Sequence, residues 1–313
     1  MALLSIASLF VAYVWSPPEE RSYDSPYLAR VADRFVDTPT ARFHYLQTGS
    51  GPPLVLIPGG TLWFYSYRKI IPALAHHFTI YAVDMPGQGY TEVSAKNFRY
   101  DLQAMSGALG SFMDALRLPR AAVAGHSWGG AIALYFAERN PRRVTRLGLI
   151  DAPGLKDPPP LTFRLLEFPL IGEMIGKLMN RSFYERGLHD TFVHQDRLSE
   201  RDVDEYWAPM SFHENREAMW LEQRRFDYSL TDRALDKVRA RTLVLWGAQD
   251  RLDEPWQATA LARRIPTASV RILPHCGHAV PEDCPARAIV ALEALLRDER
   301  RDSKDPRLDL GRA

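Results

Sequence analysis

One short stretch, Gly125-His126-Ser127-Trp128-Gly129-Gly130, constrains the fold of this chain more than any other. It joins an apolar run at residues 121–124 to a helical run at residues 131–139, so it predicts a strand, a sharp turn and a helix with Ser127 at the turn. Glycines two positions before and after the serine let strand and helix approach closely. Such a turn strains the serine backbone and exposes its hydroxyl. We therefore predict that Ser127 is a nucleophile and that the Trp128 N–H points at the reacting atom.

Composition narrows the class of protein. The 313 residues include 39 Lys and Arg against 38 Asp and Glu, a net charge of +1, so we expect no nucleic-acid partner. A hydrophobic content of 46% with 25% charged residues is typical of a soluble globular protein. Two cysteines, Cys276 and Cys284, are too few for a disulfide framework, and we interpret them as free thiols. The spacing His275-Cys276-x-His278 has no second ligand cluster, so we expect no metal and no cofactor.

The two ends of the chain differ from the rest in composition. Residues 2–15 are almost wholly apolar, and Pro17-Pro18-Glu19-Glu20 ends the run. A membrane span needs about 20 apolar residues, no Lys or Arg precedes the run, and no small-residue cleavage site follows it. For segment 1–20 the sequence leaves open a membrane-associating anchor, a degenerate signal and a packed helix, so the protein is expected to be cytoplasmic or membrane-associated. The charged tail, 298–313, is predicted to be disordered.

Strand and helix signals alternate along most of the chain. Residues 31–36 and 42–46 predict an antiparallel hairpin, and later apolar runs predict parallel strands. The pattern predicts an α/β fold, a doubly wound, mostly parallel sheet, with its core in residues 31–151 and 231–297. The later strands are expected at 54–57, 78–83, 121–124, 144–150, 242–246 and 269–273, and the helices of the core at 65–76, 100–116, 131–139, 255–264 and 283–296.

Residues 152–230 interrupt this alternation. They contain no convincing strand and are rich in Phe, Leu, Met and Trp, so we predict an inserted helical cap. Within it, Ile171, Met174, Ile175 and Leu178 are spaced as on one face of an amphipathic helix. Because the insertion leaves the sheet at the carboxyl end of a strand, we expect the cap to lie over Ser127.

Two further residues are placed to serve Ser127 in catalysis. Ligands in parallel sheets bind beyond the carboxyl ends of the strands, and Asp250 and His278 each follow a predicted strand. A serine hydroxyl needs a base to remove its proton, and the base needs a third group to orient it. The order Ser127, Asp250, His278 therefore predicts nucleophile, acid and base. Asp253 is the alternative acid and His275 the alternative base.

The oxyanion of the reaction also needs hydrogen-bond donors. One is the N–H of Trp128, and we expect the other to be that of Gly60, in the loop after the strand at residues 54–57. His126, next to the serine, is predicted to pack against the elbow.

These motifs together resemble the α/β-hydrolase fold family over residues 31–296. The turn around Ser127 is similar to the family's nucleophile elbow. The family's Asp-x-x-Gly-x-Gly-x-Ser loop is matched by Asp84-Met85-Pro86-Gly87-Gln88-Gly89-Tyr90-Thr91. Its acid and base loops are matched by Gly247-x-x-Asp250 and by Gly277-His278. The resemblance implies a cofactor-free hydrolase. The chain departs from the family at one point, where the usual His-Gly of the oxyanion loop is replaced by Pro58-Gly59.

The elbow is also similar to that of epoxide hydrolases and haloalkane dehalogenases. Those relatives use an aspartate nucleophile, whereas Ser127 would form an ether that water does not readily cleave, so we set both activities aside. The sequence favours a serine hydrolase acting through an acyl-enzyme on a carboxylic ester, or a related acyl compound, that is apolar and of medium size. The expected pocket residues are Trp63, Phe64, Ile171, Met174 and Trp207.

Other reactions with the same triad stay open. They are those of carbon–carbon bond hydrolases, cofactor-free haloperoxidases (perhydrolases), proline iminopeptidases, and biosynthetic lyases or cyclases. A receptor that has lost catalysis is a further alternative, against which the intact triad argues. The sequence does not predict the oligomeric state.

Overall fold

The computed structural model describes residues 17–157, 164 and 166–297. The apolar run at residues 2–15 and the charged tail from residue 298 lie outside this range, so the anchor or signal and the disorder stay predictions. Among the helices that are described, none is both long enough and apolar enough to cross a membrane.

The described strands form one nine-stranded sheet with the order β1-β2-β4-β3-β6-β7-β8-β9, and β5 pairs with β2. β2 runs antiparallel to β1, β4 and β5, and the remaining pairs are parallel. The predicted edge hairpin and mostly parallel sheet are confirmed. The strands are β1 (Asp33–Asp37), β2 (Ala41–Thr48), β3 (Pro53–Ile57), β4 (Thr79–Val83), β5 (Glu92–Val93), β6 (Ala121–His126), β7 (Val144–Ile150), β8 (Arg241–Gly247) and β9 (Ala268–Leu273).

Alternating side chains of the sheet point into two hydrophobic clusters, one on each face. In β3, Leu54 and Leu56 pack with helices α1 and α11, whereas Val55 and Ile57 pack with α2, α3 and α9. A strand buried on both faces has to be apolar throughout. The core helices are α1 (Ile71–Leu74), α2 (Leu102–Ala115), α3 (Trp128–Arg139), α9 (Trp256–Arg264), α10 (Val280–Asp283) and α11 (Pro285–Leu296).

One helix predicted as continuous is broken, and another begins two residues later than predicted. The helix expected at 65–76 is a 3₁₀ turn, Phe64–Tyr67, followed by the short α1, whose second residue is Pro72. The helix expected at 283–296 is α11, which begins at Pro285 after the separate short helix α10. Proline has no N–H to donate and is tolerated only in the first turn of a helix, so a new helix begins at or next to each proline.

Between β7 and β8 the described residues form helices and no strand. The amphipathic helix predicted from Ile171, Met174, Ile175 and Leu178 is α4, and buried side chains of α5 and α6 join the cluster that contains Leu62. The boundaries of the cap and its placement over Ser127 stay predictions. The helices are α4 (Pro169–Leu178), α5 (Arg181–His189), α6 (Glu200–Met210), α7 (His213–Arg225) and α8 (Ser229–Asp232).

The chain before β1 is tied to these helices. Glu205 of α6 accepts hydrogen bonds from the Ser25 hydroxyl at 2.6 Å and from the Tyr27 N–H at 3.0 Å. The Glu20 N–H donates to the Ser211 hydroxyl at 2.7 Å. These hydrogen bonds join the segment at residues 20–27, which leads into β1, to α6 and to the residue that follows it.

Candidate active site

The stretch around Ser127 forms the predicted elbow. β6 ends at His126 and α3 begins at Trp128. Between them Ser127 has φ 50° and ψ −124°, a strained conformation for a residue with a side chain. A Cβ on Gly125 would lie 2.6 Å from the Gly130 nitrogen, so only glycine fits where the strand meets the helix. Ser127 is itself partly exposed.

Asp250 and His278 are joined by a hydrogen bond. The Nδ1 atom of His278 lies 2.8 Å from Oδ2 of Asp250, and Oδ1 of Asp250 accepts the N–H groups of Leu252 and Asp253 at 2.8 and 3.0 Å. Burial lowers the pKa of His278, but the charge of Asp250 and its hydrogen bond outweigh burial and raise the pKa to about 9. The pair therefore presents Nε2 of His278 as the free ring nitrogen.

His126 brings the His278 loop to the elbow. Its Nε2 lies 2.8 Å from the His278 carbonyl oxygen, and the two rings are 4.9 Å apart. Burial, together with the charge of His278, lowers the pKa of His126 to about 3, so it is neutral and donates to that carbonyl. His278 is thus held next to the residue that precedes the nucleophile.

Residues of the insertion hold the His278 loop from the other side. Asp283 accepts the Gly277 N–H at 2.8 Å and the His194 N–H at 3.0 Å, and the Ala279 N–H donates to the Thr191 carbonyl at 3.0 Å. Burial raises the pKa of Asp283, but these N–H donors outweigh it and lower the pKa, which keeps the carboxylate charged. Both neighbours of His278 in the sequence are therefore fixed by contacts that reach the insertion.

The prediction that the cysteines are free thiols is wrong. Cys276 and Cys284 form a disulfide that closes the loop around His278. The turn between β9 and α11 brings their Cα atoms to 6.1 Å, a proximity that spacing alone did not reveal. Ligand atoms of His194, Asp283 and Cys284 also lie within 4.8 Å of one another. Because the Cys284 sulfur is bonded and Asp283 is occupied by N–H donors, this group is a poor metal site.

The loop after β3 lies against the elbow, where an oxyanion site requires it. A Cβ on Gly60 would lie 2.5 Å from Cδ2 of the Trp128 indole, and a Cβ on Gly59 would lie 3.2 Å from Cβ of Ser127. The absence of side chains at these two glycines allows the close approach. The N–H groups of Gly60 and Trp128 stay the predicted oxyanion donors.

The alternative acid, Asp253, contacts the pair through its backbone N–H, which donates to Asp250, and not through its carboxylate. Burial raises the pKa of Asp253 to about 7, but its carboxylate makes no hydrogen bond to His278. His275 is exposed, and its carbonyl accepts from the Arg287 side chain.

Asp151 is a buried carboxyl of this site that the sequence reading missed. It directly follows β7, has φ 46°, and its Oδ1 accepts the Gly247 N–H at 2.7 Å. Burial and the charge of Asp250 raise the pKa of Asp151 well above its usual range, which favours a neutral acid beside the Asp250–His278 pair. Its position after a strand, the criterion that identified Asp250 and His278, was the available signal.

The predicted pocket residues fall into two groups. Trp63, Phe64 and Trp207 are buried where the sheet meets the insertion, and the indole N–H groups of Trp63 and Trp207 donate to the Glu205 carbonyl and to Glu20. On α4, Met174 is partly buried and Ile171 is exposed. The contacts place the first three in packed interfaces, and a role in binding substrate stays a prediction for all of them.

Comparisons with known proteins agree with the fold. A model of the α/β hydrolase fold family matches residues 52–285. A soluble epoxide hydrolase from a Corynebacterium species is 31% identical over 266 residues, covering 78% of this chain and 90% of that protein. A 2-hydroxy-6-oxo-2,4-heptadienoate hydrolase from Pseudomonas putida is 31% identical over 247 residues, covering 74% and 84%. The solved structure of a membrane phospholipase A, described as a bacterial virulence factor, has a TM-score of 0.73 at 25% identity and covers 95% of this chain and 96% of that one.

Proposed function

Because the chain belongs to the α/β hydrolase fold family, we propose that it is a serine hydrolase of apolar, medium-sized carboxylic esters or related acyl compounds. The observation that carries this proposal is a strained, partly exposed Ser127 whose neighbour His126 bonds to the His278 carbonyl, together with a His278 whose Nδ1 is held by Asp250. This arrangement leaves Nε2 of the histidine for the serine proton.

The reaction has two steps. Ser127 Oγ attacks the substrate carbonyl while His278 Nε2 takes its proton, and the oxyanion is bound by the N–H groups of Gly60 and Trp128. The intermediate collapses to an acyl-serine as His278 gives the proton to the leaving alcohol. Water then attacks the acyl-serine with His278 as base, which releases the acid and restores Ser127.

The nucleophile decides between this reaction and those of some relatives. An epoxide opened by Ser127 would leave an alkyl ether, which has no carbonyl for water to attack. An acyl-serine keeps its carbonyl next to the oxyanion donors. The similarity to a membrane phospholipase A, an ester hydrolase by name, also favours acyl chemistry.

The surroundings of the site favour an apolar acyl group. Trp128 packs against a cluster that includes Leu62 and, from the insertion, Tyr184, Leu188 and Trp207. A separate cavity of about 410 Å³ lies between the insertion and the acid loop, and its lining is mostly polar. It reaches Asp250, whereas Ser127 and His278 are not among its lining residues.

A p-nitrophenyl ester series from acetate to laurate tests the proposal. We expect Ser127→Ala to abolish the hydrolysis of every ester, and Ser111→Ala, which changes a partly exposed serine of α2, to leave it intact. Ester hydrolysis that survives in the Ser127 variant would show that another group is the nucleophile.

Carbon–carbon bond hydrolysis is the second candidate, favoured by 31% identity to the heptadienoate hydrolase. Both purified variants and the parent protein should therefore also receive a 2-hydroxy-6-oxo-dienoate. Serine-dependent loss of its absorbance, with a larger kcat/KM than for any ester, would favour this second reaction.

A further inference from the structure

The residue after Gly60 has an unfavourable backbone conformation. Thr61 has φ 64°, in the left-handed region that β-branched residues rarely adopt. Such a conformation persists where neighbouring contacts fix it. The loop supplies one such contact, since the Leu62 N–H donates to the Gly59 carbonyl at 3.2 Å across Gly60 and Thr61, and the helical insertion supplies another.

Tyr184 of α5 supplies that contact. Its hydroxyl donates a hydrogen bond of 2.9 Å to the Thr61 carbonyl, and its ring lies 5.9 Å from that of Trp207. The side chain is only 6% exposed, and burial raises the pKa of its hydroxyl well above the usual range, so it stays a donor.

Helix α5 is stabilised at its first turn and is joined to α6 by ion pairs. The Asn180 side chain caps its first turn by accepting the Phe183 N–H at 3.0 Å. Arg181 forms ion pairs with Glu200 at 2.8 Å and with Asp204 at 2.7 Å, which tie α5 to α6. The position of Tyr184 is therefore set by contacts within the insertion and not by the loop that contains Thr61.

We propose that Tyr184 is a positioning residue that holds the oxyanion loop in place from the insertion. The hydrogen bond orients the Thr61 carbonyl, and Thr61 is bonded directly to Gly60, which packs on the Trp128 indole. The insertion thus takes part in transition-state stabilisation without touching the reacting atoms. The effect on catalysis rests on the function proposed above, whereas the effect on the loop does not.

The test compares Tyr184→Phe with Tyr65→Phe in the full-length protein. Tyr65 is a second buried tyrosine of this interface, and its hydroxyl donates to Asp202 at 2.7 Å instead of to the loop. With p-nitrophenyl butyrate we expect kcat to fall about tenfold in Tyr184→Phe with KM changed less than about twofold, because misplaced donors weaken transition-state binding. We expect Tyr65→Phe to keep the parent kcat within about twofold.

Amide hydrogen exchange of the peptide over residues 59–63 gives a readout independent of activity. We expect faster exchange in Tyr184→Phe than in the parent and no change in Tyr65→Phe. Unchanged exchange, a raised KM at constant kcat, or equal losses of kcat in both variants would each overturn the proposal. Labelling of the parent protein by a fluorophosphonate tests the proposed function separately, so its failure would leave the exchange result to decide the role of Tyr184.

Discussion

Substitution of Gly60 by alanine tests whether the loop after β3 forms the oxyanion site. The added Cβ would lie 2.5 Å from Cδ2 and 2.7 Å from Cζ3 of the Trp128 indole, whereas ordinary contacts begin at 3.4 Å. The loop and the Trp128 indole must therefore move apart by more than about 0.9 Å, since Cε3 of the indole lies closer still. A displacement of about 1 Å at a catalytic group lowers rates by about 100-fold, and loss of one oxyanion donor lowers kcat by about 100- to 1,000-fold.

We expect Gly60→Ala to lower kcat for p-nitrophenyl butyrate by about 100-fold, or about 2.7 kcal/mol of transition-state stabilisation. The free energy of unfolding should fall by about 1–3 kcal/mol, which is typical of overpacking. The matched control is Gly107→Ala on α2, where an added Cβ meets nothing within 4 Å. It should leave kcat unchanged and stabilise the helix by about 1 kcal/mol.

Steady-state kinetics and thermal denaturation of the two variants check these values. If Gly60→Ala keeps kcat within about threefold of the parent while folding normally, the reasoning about the oxyanion loop is refuted.

The remaining predictions concern pH, the disulfide and a buried arginine. His278 acts as a base only when neutral, and its pKa is raised to about 9, so kcat/KM should rise from pH 7 toward pH 9. Asp250→Asn should shift this rise to lower pH. A half-maximal kcat/KM below pH 6.5 in the parent protein would contradict the role of Asp250. The raised pKa of His278 also affects stability. Its contribution to the free energy of unfolding is fully present below pH 6.5, the pKa of histidine in the unfolded chain, and is lost as the pH rises through about 9. Reduction of the Cys276–Cys284 disulfide by dithiothreitol should lower the free energy of unfolding by about 2.5 kcal/mol, because the unfolded chain gains the entropy of an open loop. An unchanged melting temperature after reduction would argue against the bond. Arg68→Met should lower the free energy of unfolding, measured by urea titration, by about 3–5 kcal/mol. The substitution leaves the carboxylates of Asp202 and Glu282 buried without the arginine that pairs with both. A decrease of less than about 1 kcal/mol would show that these ion pairs contribute little to stability.

The parts of the site that follow local rules could be predicted from the sequence. The glycines around Ser127 and the position of Asp250 and His278 after strands depend on the turn chemistry and topology of a parallel sheet. Asp151 meets the same topological rule, and it was missed because aspartate after a strand also occurs as a turn residue.

The parts that depend on distant contacts could not be predicted. The Cys276–Cys284 bond requires the path of the intervening turn. Glu205 accepts hydrogen bonds from Ser25 and Tyr27, which lie 180 and 178 residues before it, and no local pattern indicates such a pairing. The sequence indicated Trp63 as a pocket residue, and nothing in it indicated the hydrogen bond from the indole N–H to the Glu205 carbonyl.

The measurement that tests the central claim most directly is the site of acylation. The parent protein is mixed with p-nitrophenyl butyrate, quenched in acid during the initial burst of p-nitrophenolate, digested and analysed by mass spectrometry. We predict a butyryl group on the peptide that contains Ser127, attached to the serine oxygen, and none after Ser127→Ala. Turnover with the acyl group on another residue, or with no covalent adduct at all, would contradict the assignment of Ser127 as the nucleophile.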